Sequence, residues 1–568
     1  MGLPFGTPGE PVQYFKSSCG HEVRILSLDA SGDFHYEATE TASEILARLA
    51  PAFKPDYLIC WCPEVIPPPL KLEDAPVCTV AVVSDWTVYH SALRHNLQRF
   101  NLVIMDKLAC QLQPLHDVTP HYLGPLYSQR RGIHRNLETF RDLDIVFVGN
   151  LNHATHRERG HYLERIARLA DRYRVVIASG LDAQTYTEIL NRAKIVFNFG
   201  LRGEMNLRCF EALACGAVLF MEEANMEVRD LLTPDESVVL YTAENLEARL
   251  AWYLDHDAAR ETVARNGLTL SESLAGEKRL DTFLNALAEL PEAPATFNER
   301  TPREQLLATV RCYASSEIDA QVAYSQSCLA EAVQAYPYDT EVQFCHAVSL
   351  LDQFNAGQRP TGAKEALDLL SALAARIPDE APVWMCMARI ARQAGAQELE
   401  LRCIQSALEA NSIALGDLLP GKRNDPWYGQ WRTNLALGEA NVEYLHDWMF
   451  TRLAEIELDH GHGRRVLDFY PVGTEKTSVM AEPFAVRGKA LMMEGRLNEA
   501  IAVLEAGLSK TALDSAYRKI LIDAYVQAGR MEDARSLARE SATIFHAWWG
   551  AETVTQDFSD LLQSLEER

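Results

Sequence analysis

The sequence predicts an α/β chain that turns all-α in its second half: two doubly wound, Rossmann-like units followed by a helical solenoid. Three observations carry this. Short apolar runs alternate with helix-spaced segments through the first half, the alternation starts afresh near residue 140, and a block in the second half recurs after 34 residues. A chain of 568 residues has room for about two to four domains. The boundaries read as a tail over 1–20, a first α/β unit over 21–135, a second over 136–290 and a helical repeat domain over 300–568.

In the first unit, Val23–Leu28 is an apolar run closed by the turn-rich Asp29–Asp33, and Ala42–Leu49 has helical spacing. Tyr57–Trp61, Val77–Val83 and Leu102–Asp106 read as buried strands. The pattern restarts with Asp144–Asn150, a strand ending in Gly149. Helix Tyr162–Tyr173, strand Arg174–Ala178, helix Ala183–Ala193, strand Ile195–Phe199, helix Cys209–Ala214 and strand Val218–Phe220 follow. Strands separated by helices imply parallel sheets whose ligands bind at the carboxyl ends of the strands.

Beyond residue 300 strand signals become sparse. Gly495-Arg496-Leu497-Asn498-Glu499-Ala500 returns as Gly529-Arg530-Met531-Glu532-Asp533-Ala534, and Ala490 as Ala524, each shifted by 34 residues, the tetratricopeptide length. The glycine permits the turn between two helices, and the alanine lets them approach closely. Weaker copies run through Ala388, Gly395 and Ala407, and Gly416–Trp431, rich in Pro and Gly, interrupts them as a long loop.

Composition narrows the function. With 48% hydrophobic and 23% charged residues both halves are expected to fold. A net charge of −25 argues against a general nucleic-acid or anionic-lipid binder. No apolar run is long enough for an integral membrane segment, and Met1–Lys16 lacks the apolar core of a secretory signal. Twelve scattered cysteines without a disulfide or knuckle spacing suit a reducing cytoplasm; Cys60 and Cys62, flanking Trp61, read as packing residues.

The most informative stretch is Asn198-Phe199-Gly200-Leu201-Arg202-Gly203-Glu204-Met205-Asn206-Leu207-Arg208-Cys209-Phe210-Glu211-Ala212-Leu213-Ala214-Cys215-Gly216. A strand ends in a charged, glycine-bearing loop, and a helix begins whose first turns hold Arg208 and Glu211. This closely resembles the nucleotide-sugar site of GT-B glycosyltransferases, in particular the CgeB-like (spore maturation protein type) branch of the family-1-like enzymes. The segment Glu222–Arg229 and Leu240-Tyr241 continue the pattern.

By that resemblance Glu211 accepts hydrogen bonds from the two ribose hydroxyls of a sugar-nucleotide donor; a carboxylate offers acceptors to both at once. The family's second glutamate, eight positions earlier, is here Gly203, and the nearest acid is Glu204. Arg202, Asn206, Arg208 and the backbone N–H groups at the helix start are the candidates for the donor diphosphate, whose charge grows in the transition state. Gly149 and Asn150 resemble the glycine turn after the first donor-side strand, and Arg159, with Arg157, stands where a family basic residue meets phosphate. The resemblance implies neither a metal nor another resident cofactor.

On the acceptor side Asp29, Asp33 and His35 follow one strand and Asp85, Trp86 and His90 another. Asp85, with His90, is the candidate general base for an acceptor hydroxyl; each of these also suits a helix cap or a solvated surface. Asp142-Leu143-Asp144 spells the metal-binding D-x-D but precedes its strand, and His153 and His156 lack a third ligand.

These readings converge on transfer of a hexose-type sugar from a nucleotide sugar to a hydroxyl on a protein or surface glycan, with the repeats recruiting the acceptor or a partner. Two alternatives stay open. One is a non-catalytic nucleotide- or sugar-binding scaffold, favoured by the altered glutamate spacing; the other is a sugar-nucleotide epimerase of the same architecture, disfavoured by the repeats.

Overall fold

The computed structural model describes residues 20–567 apart from 29–31, 65–67, 87–92, 94–95, 113–117, 131, 152–156, 202, 315, 317, 416–441, 470–480 and 512. Asp29, His90, His153, His156, Arg202 and the predicted loop 416–431 therefore lie outside the described residues, as do residues 1–19.

The first apolar run makes less strand than its composition suggests. β1 (Leu26–Ser27) pairs in parallel with β2 (Phe34–His35). The backbone bonds Phe34 N→Ile25 O and Tyr36 N→Ser27 O hold the two strands side by side, running the same way. Gly32 lies so close to β1 that a Cβ there would meet Ile25 O at 2.5 Å. Helix α1 (Ala42–Leu49) opens with a capping box, Thr41 and Glu44 each satisfying the other's backbone N–H. β3 (Tyr57–Trp61), β4 (Cys78–Val82) and β5 (Leu102–Ile104) form a parallel sheet in that order. The last two residues of the predicted third run leave the strand, because Asp106 caps helix α2 (Lys107–Gln111) through Ala109 N.

The second half builds β6 (Leu143–Val148), α3 (Arg157–Ala167), β7 (Val175–Ala178), α4 (Ala183–Arg192), β8 (Ala193–Phe197), α5 (Leu207–Ala214), β9 (Val218–Glu222), α6 (Val228–Leu231), β10 (Val239–Tyr241), α7 (Leu246–Asp255), α8 (Asp257–Ser271) and α9 (Gly276–Ala288). Its five strands run parallel in the order β10-β9-β8-β6-β7. The chain steps from β6 outward to β7, then crosses back to β8 on the other side of β6, so the strand order reverses between β6 and β8. A crevice opens at the carboxyl ends of two such strands, where the connections diverge. α9 returns to the first sheet: Leu287 packs into the cluster of Val80, Val82, Leu102 and Ile104, with Phe283 and Leu284 beside it.

The chain divides into two compact units, one of Met1–Ser84, Phe100–Pro294 and Arg535–Arg568, the other of Asp85–Arg99 and Ala295–Ala534. The first thus holds both sheets together with the chain's final helices. The second is helical: α10 (Pro302–Tyr313), α11 (Asp319–Ala335), α12 (Thr340–Asn355), α13 (Gly362–Arg376), α14 (Ala381–Gln393), α15 (Gln397–Glu409), α16 (Val442–Asp459), α17 (Gly463–Phe469), α18 (Glu482–Met493), α19 (Leu497–Leu508) and α20 (Ser515–Gln527). α21 (Met531–His546) contains the boundary, and α22 (Glu552–Glu566) closes the chain.

The repeat read from the sequence falls on helix pairs. Gly495 joins α18 to α19 and Gly529 joins α20 to α21, with φ of 70° and 73°, a left-handed turn that only glycine adopts without strain. Ala490 and Ala524 are fully buried. The inserted segment Asp85–Arg99 is anchored within this unit: Arg99 stacks 3.6 Å over Phe297 and donates to Thr309 Oγ1 at 2.7 Å.

In the first unit Ile177 of β7 exchanges backbone bonds with the chain after α21, Ile177 N→Ala547 O and Trp549 N→Ile177 O, both 2.8 Å. One residue of the β7 edge, Ile177, is therefore paired. Among the described residues no helix is long and apolar enough to cross a membrane.

Candidate functional site

The crevice where the strand order reverses is built around two buried arginines. Arg208, in the first turn of α5, donates through Nε to Val148 O at the end of β6 and through Nη1 to Asn198 Oδ1 just past β8, both at 2.6 Å. Arg159 of α3 spans the same gap one layer over, from Phe199 O (3.1 Å) to Asn150 O (3.3 Å). Both guanidinium groups lie on the ring of Phe147, 4.2 Å and 5.6 Å from its centroid. Gly149 makes this possible, since a Cβ there would stand 2.0 Å from Arg208 Nη2.

Among the described residues neither arginine is ion-paired; their hydrogen bonds go to carbonyl and amide oxygens. Two cations are thus held out of water without a carboxylate in contact. Burial lowers the affinity of both for their protons, and for Arg159 burial and the nearby Arg208 bring it down to about 10. Glu204, Glu211 and Glu222 act on these cations only through space, so their guanidiniums keep donors that an anion could meet.

Glu211 sits one turn beyond Arg208 and is fully buried. Its carboxylate accepts from Arg130 Nε at 2.6 Å and Nη2 at 3.3 Å, and from the Tyr186 hydroxyl at 2.5 Å. Arg130 comes from the stretch joining the two sheets and stacks on Tyr186 of α4, 4.9 Å from its ring centroid. Burial, and then the Glu211 charge, push the Tyr186 hydroxyl well above its ordinary range, so it stays protonated and donates to Glu211.

The loop between β8 and α5 is held from below by Glu222–Glu227. Glu222 Oε1 accepts Gly200 N at 2.8 Å, Glu227 Oε2 accepts Met205 N at 2.9 Å, Asn225 Nδ2 donates to Glu204 O at 3.0 Å, and Met226 N bonds Gly203 O at 2.9 Å. Each glutamate keeps a second buried oxygen without a hydrogen-bond partner. Burial pushes both carboxyls up to about 7.

Of the residues singled out by sequence, Gly149, Asn150, Arg159 and Arg208 meet in this crevice, with Glu211 behind them. Glu204 turns back on its own loop, where Oε1 accepts Leu201 N at 2.7 Å. Asn206 occupies the N-cap position of α5 without a side-chain cap bond; its Oδ1 accepts the Cys209 thiol at 3.8 Å. Asp33 receives Ile25 N at 2.9 Å, and His35 lies against Glu37 on the surface. Asp85 is exposed and belongs to the helical unit. The D-x-D carboxylates both face cations, Asp142 that of Arg192 and Asp144 that of Lys194. Cys60 is buried, which pushes its thiol up to about 11.

Sequence reasoning gave no role to Arg130, Tyr186, Glu222, Asn225 or Glu227. A signal for Glu222 was present, since it directly continues the apolar run Val218–Met221 and stays in the strand; Asn225 and Glu227 lie beyond it. Arg130 and Tyr186 had none, because the bonds to Glu211 join segments 81 and 25 positions apart.

Residues 130–285 match the model of a family described as glycosyl transferase-like. No curated protein matches the chain. Among similar solved structures, TarM is 15% identical with a TM-score of 0.32, over 43% of this chain and 57% of its own. Sucrose-phosphate synthase from Thermosynechococcus elongatus is 13% identical with a TM-score of 0.32, over 44% and 76%. The pneumococcal O-GlcNAc transferase GtfA, in complex with UDP and GlcNAc, is 10% identical with a TM-score of 0.27, over 38% and 52%. The likeness thus takes in little more than half the length of TarM and GtfA. Every arginine and carboxylate of the crevice lies within the matched stretch.

Proposed function

We propose that the protein is a GT-B-type glycosyltransferase that moves a hexose-type sugar from a nucleotide sugar to a hydroxyl acceptor. The observation that carries this reading is the pair of buried guanidiniums, Arg159 and Arg208, spanning the switch point of a domain that matches a glycosyltransferase-like family. As the glycosidic bond of a sugar nucleotide breaks, charge builds on the departing diphosphate. Fixed cations and the N-terminal end of α5 favour that charge more in the transition state than in the ground state, which is what lowers a barrier. On this reading no metal or resident cofactor is required. Glu211 binds the ribose, and the Glu222–Glu227 platform keeps the Gly200–Met205 loop in one shape for the sugar and phosphates.

The acceptor is a protein or surface glycan, recruited by the helical repeats in the manner of a tetratricopeptide array, in a cytoplasmic setting; Asp85 and His90 are the acceptor-side bases. The test is thermal stabilisation of the full chain by UDP, GDP, CMP and dTDP, repeated on Glu211→Ala. One nucleotide is expected to raise the melting temperature by several degrees in the wild type and not in the variant. No shift with any of the four favours the second reading, a non-catalytic scaffold. That reading draws support from Gly203, which stands where the family has a glutamate, and from Glu204, which is engaged with its own loop.

A further inference from the structure

Glu211 is fully buried, and the group that covers it is an arginine. A carboxylate has about four acceptor positions. Arg130 fills two of them and the Tyr186 hydroxyl a third, which leaves too few for the two hydroxyls of a ribose. Arg130 itself reaches the surface, with 23% of its side chain exposed. It also borders an open cavity of about 530 Å³ that Ile133, Ala183 and Thr187 line as well. The side chain therefore has somewhere to go.

We infer that Arg130 is a built-in competitor for the donor: it occupies the ribose-binding carboxylate in the empty crevice and gives up at least one of its two bonds when a nucleotide enters. This deepens, and rests on, the assignment of Glu211 to the ribose. Two consequences follow from the chemistry. An ionised carboxylate out of water needs a counter-charge, and Arg130 supplies it until ligand hydroxyls share the work. The ribose hydroxyls must displace an existing charge-assisted bond, so they add less to affinity than two new hydrogen bonds would, and donor entry is coupled to a movement of the segment joining the two sheets.

The experiment compares UDP with 2′,3′-dideoxy-UDP, and GDP with its dideoxy analogue, by titration calorimetry on the full chain. It is run on the wild type, Arg130→Lys, Glu211→Gln and the double variant, with circular dichroism and melting curves to verify folding. Lysine keeps the charge but replaces the planar two-point grip with a single point donor. The preference for the ribose nucleotide over its dideoxy analogue is expected to grow about fivefold or more in Arg130→Lys, the scale of one hydrogen bond, and to vanish in both Glu211→Gln backgrounds. An unchanged preference in a folded Arg130→Lys overturns the inference alone. So does a fall in UDP affinity at constant preference, which would place Arg130 on the phosphates. If none of UDP, GDP, CMP and dTDP binds the wild type, the donor-site assignment fails and takes the inference with it.

Discussion

The two sheets of the α/β unit solve the same packing problem with different materials. The first fills its interior with Val80, Val82, Leu102, Ile104 and Leu287, and of the acidic and imidazole candidates Asp33 and His35 are exposed. The second carries Arg159, Arg208, Glu211, Glu222 and Glu227 inside, each less than a tenth exposed. Buried charge destabilises a fold unless something satisfies it. Here the partners come from other strands and loops, and two arginines and two carboxylates are left with unused capacity. On the proposed function, that concentration of cost in one sheet is where the donor would bind.

The contrast can be broken or sharpened by substitution, taken from the largest expected effect to the smallest. Leu102→Ala in the apolar sheet should cost roughly 2–5 kcal/mol, with unchanged slope against pH and unchanged nucleotide affinity; denaturant unfolding at several pH values checks it. Gly149→Ala forces Arg208 off Val148, and should lose about 1–3 kcal/mol of stability together with nucleotide-dependent stabilisation in the melting assay. Equal nucleotide binding in that variant would detach Arg208 from the site.

Glu222→Gln acts on pH dependence. The folded carboxyl titrates near 7, above the usual carboxylate range, so the folded state binds the extra proton. Stability from this group is full below the unfolded value and declines as pH rises through about 7. The variant should flatten that decline, visible as a smaller drop in melting temperature between pH 5 and pH 8 (roughly the two ends of the titration). Asp85→Ala, on an exposed side chain, should move stability by no more than about 0.5 kcal/mol and leave nucleotide binding intact. A loss of sugar transfer in that folded variant would identify it as an acceptor-side base, and full activity would remove it.

What the sequence made legible follows the range of each interaction. Ala42–Leu49 and Tyr57–Trp61 have in the structure the bounds their spacing predicts, because a capping box and an apolar alternation are settled within a few residues. The glycine turn at Gly149 and the helix start at Arg208 and Glu211 were legible for the same reason. Val23–Leu28 reads as a strand by composition, yet only Leu26–Ser27 form one, because a ladder needs a partner, and β2, only two residues long, offers no more. The site is less legible than the fold. Arg208 was placed on the diphosphate by its position in the helix, but the direction of its side chain depends on Val148, some 60 residues away. Arg130 and Tyr186 reach Glu211 only through tertiary folding, which no local period records.

The pairing of Ala547 and Trp549 with Ile177 has a consequence for biosynthesis. A ribosome delivers β7 more than 350 residues before the segment that seals its edge. Throughout translation of the entire helical array the five-stranded sheet therefore carries an open row of backbone donors and acceptors, the kind of edge that recruits other strands and leads to aggregation. Ile177 gains its partners only once Ala547 and Trp549 have been made, so that stretch of the β7 edge stays open while the intervening helices are translated.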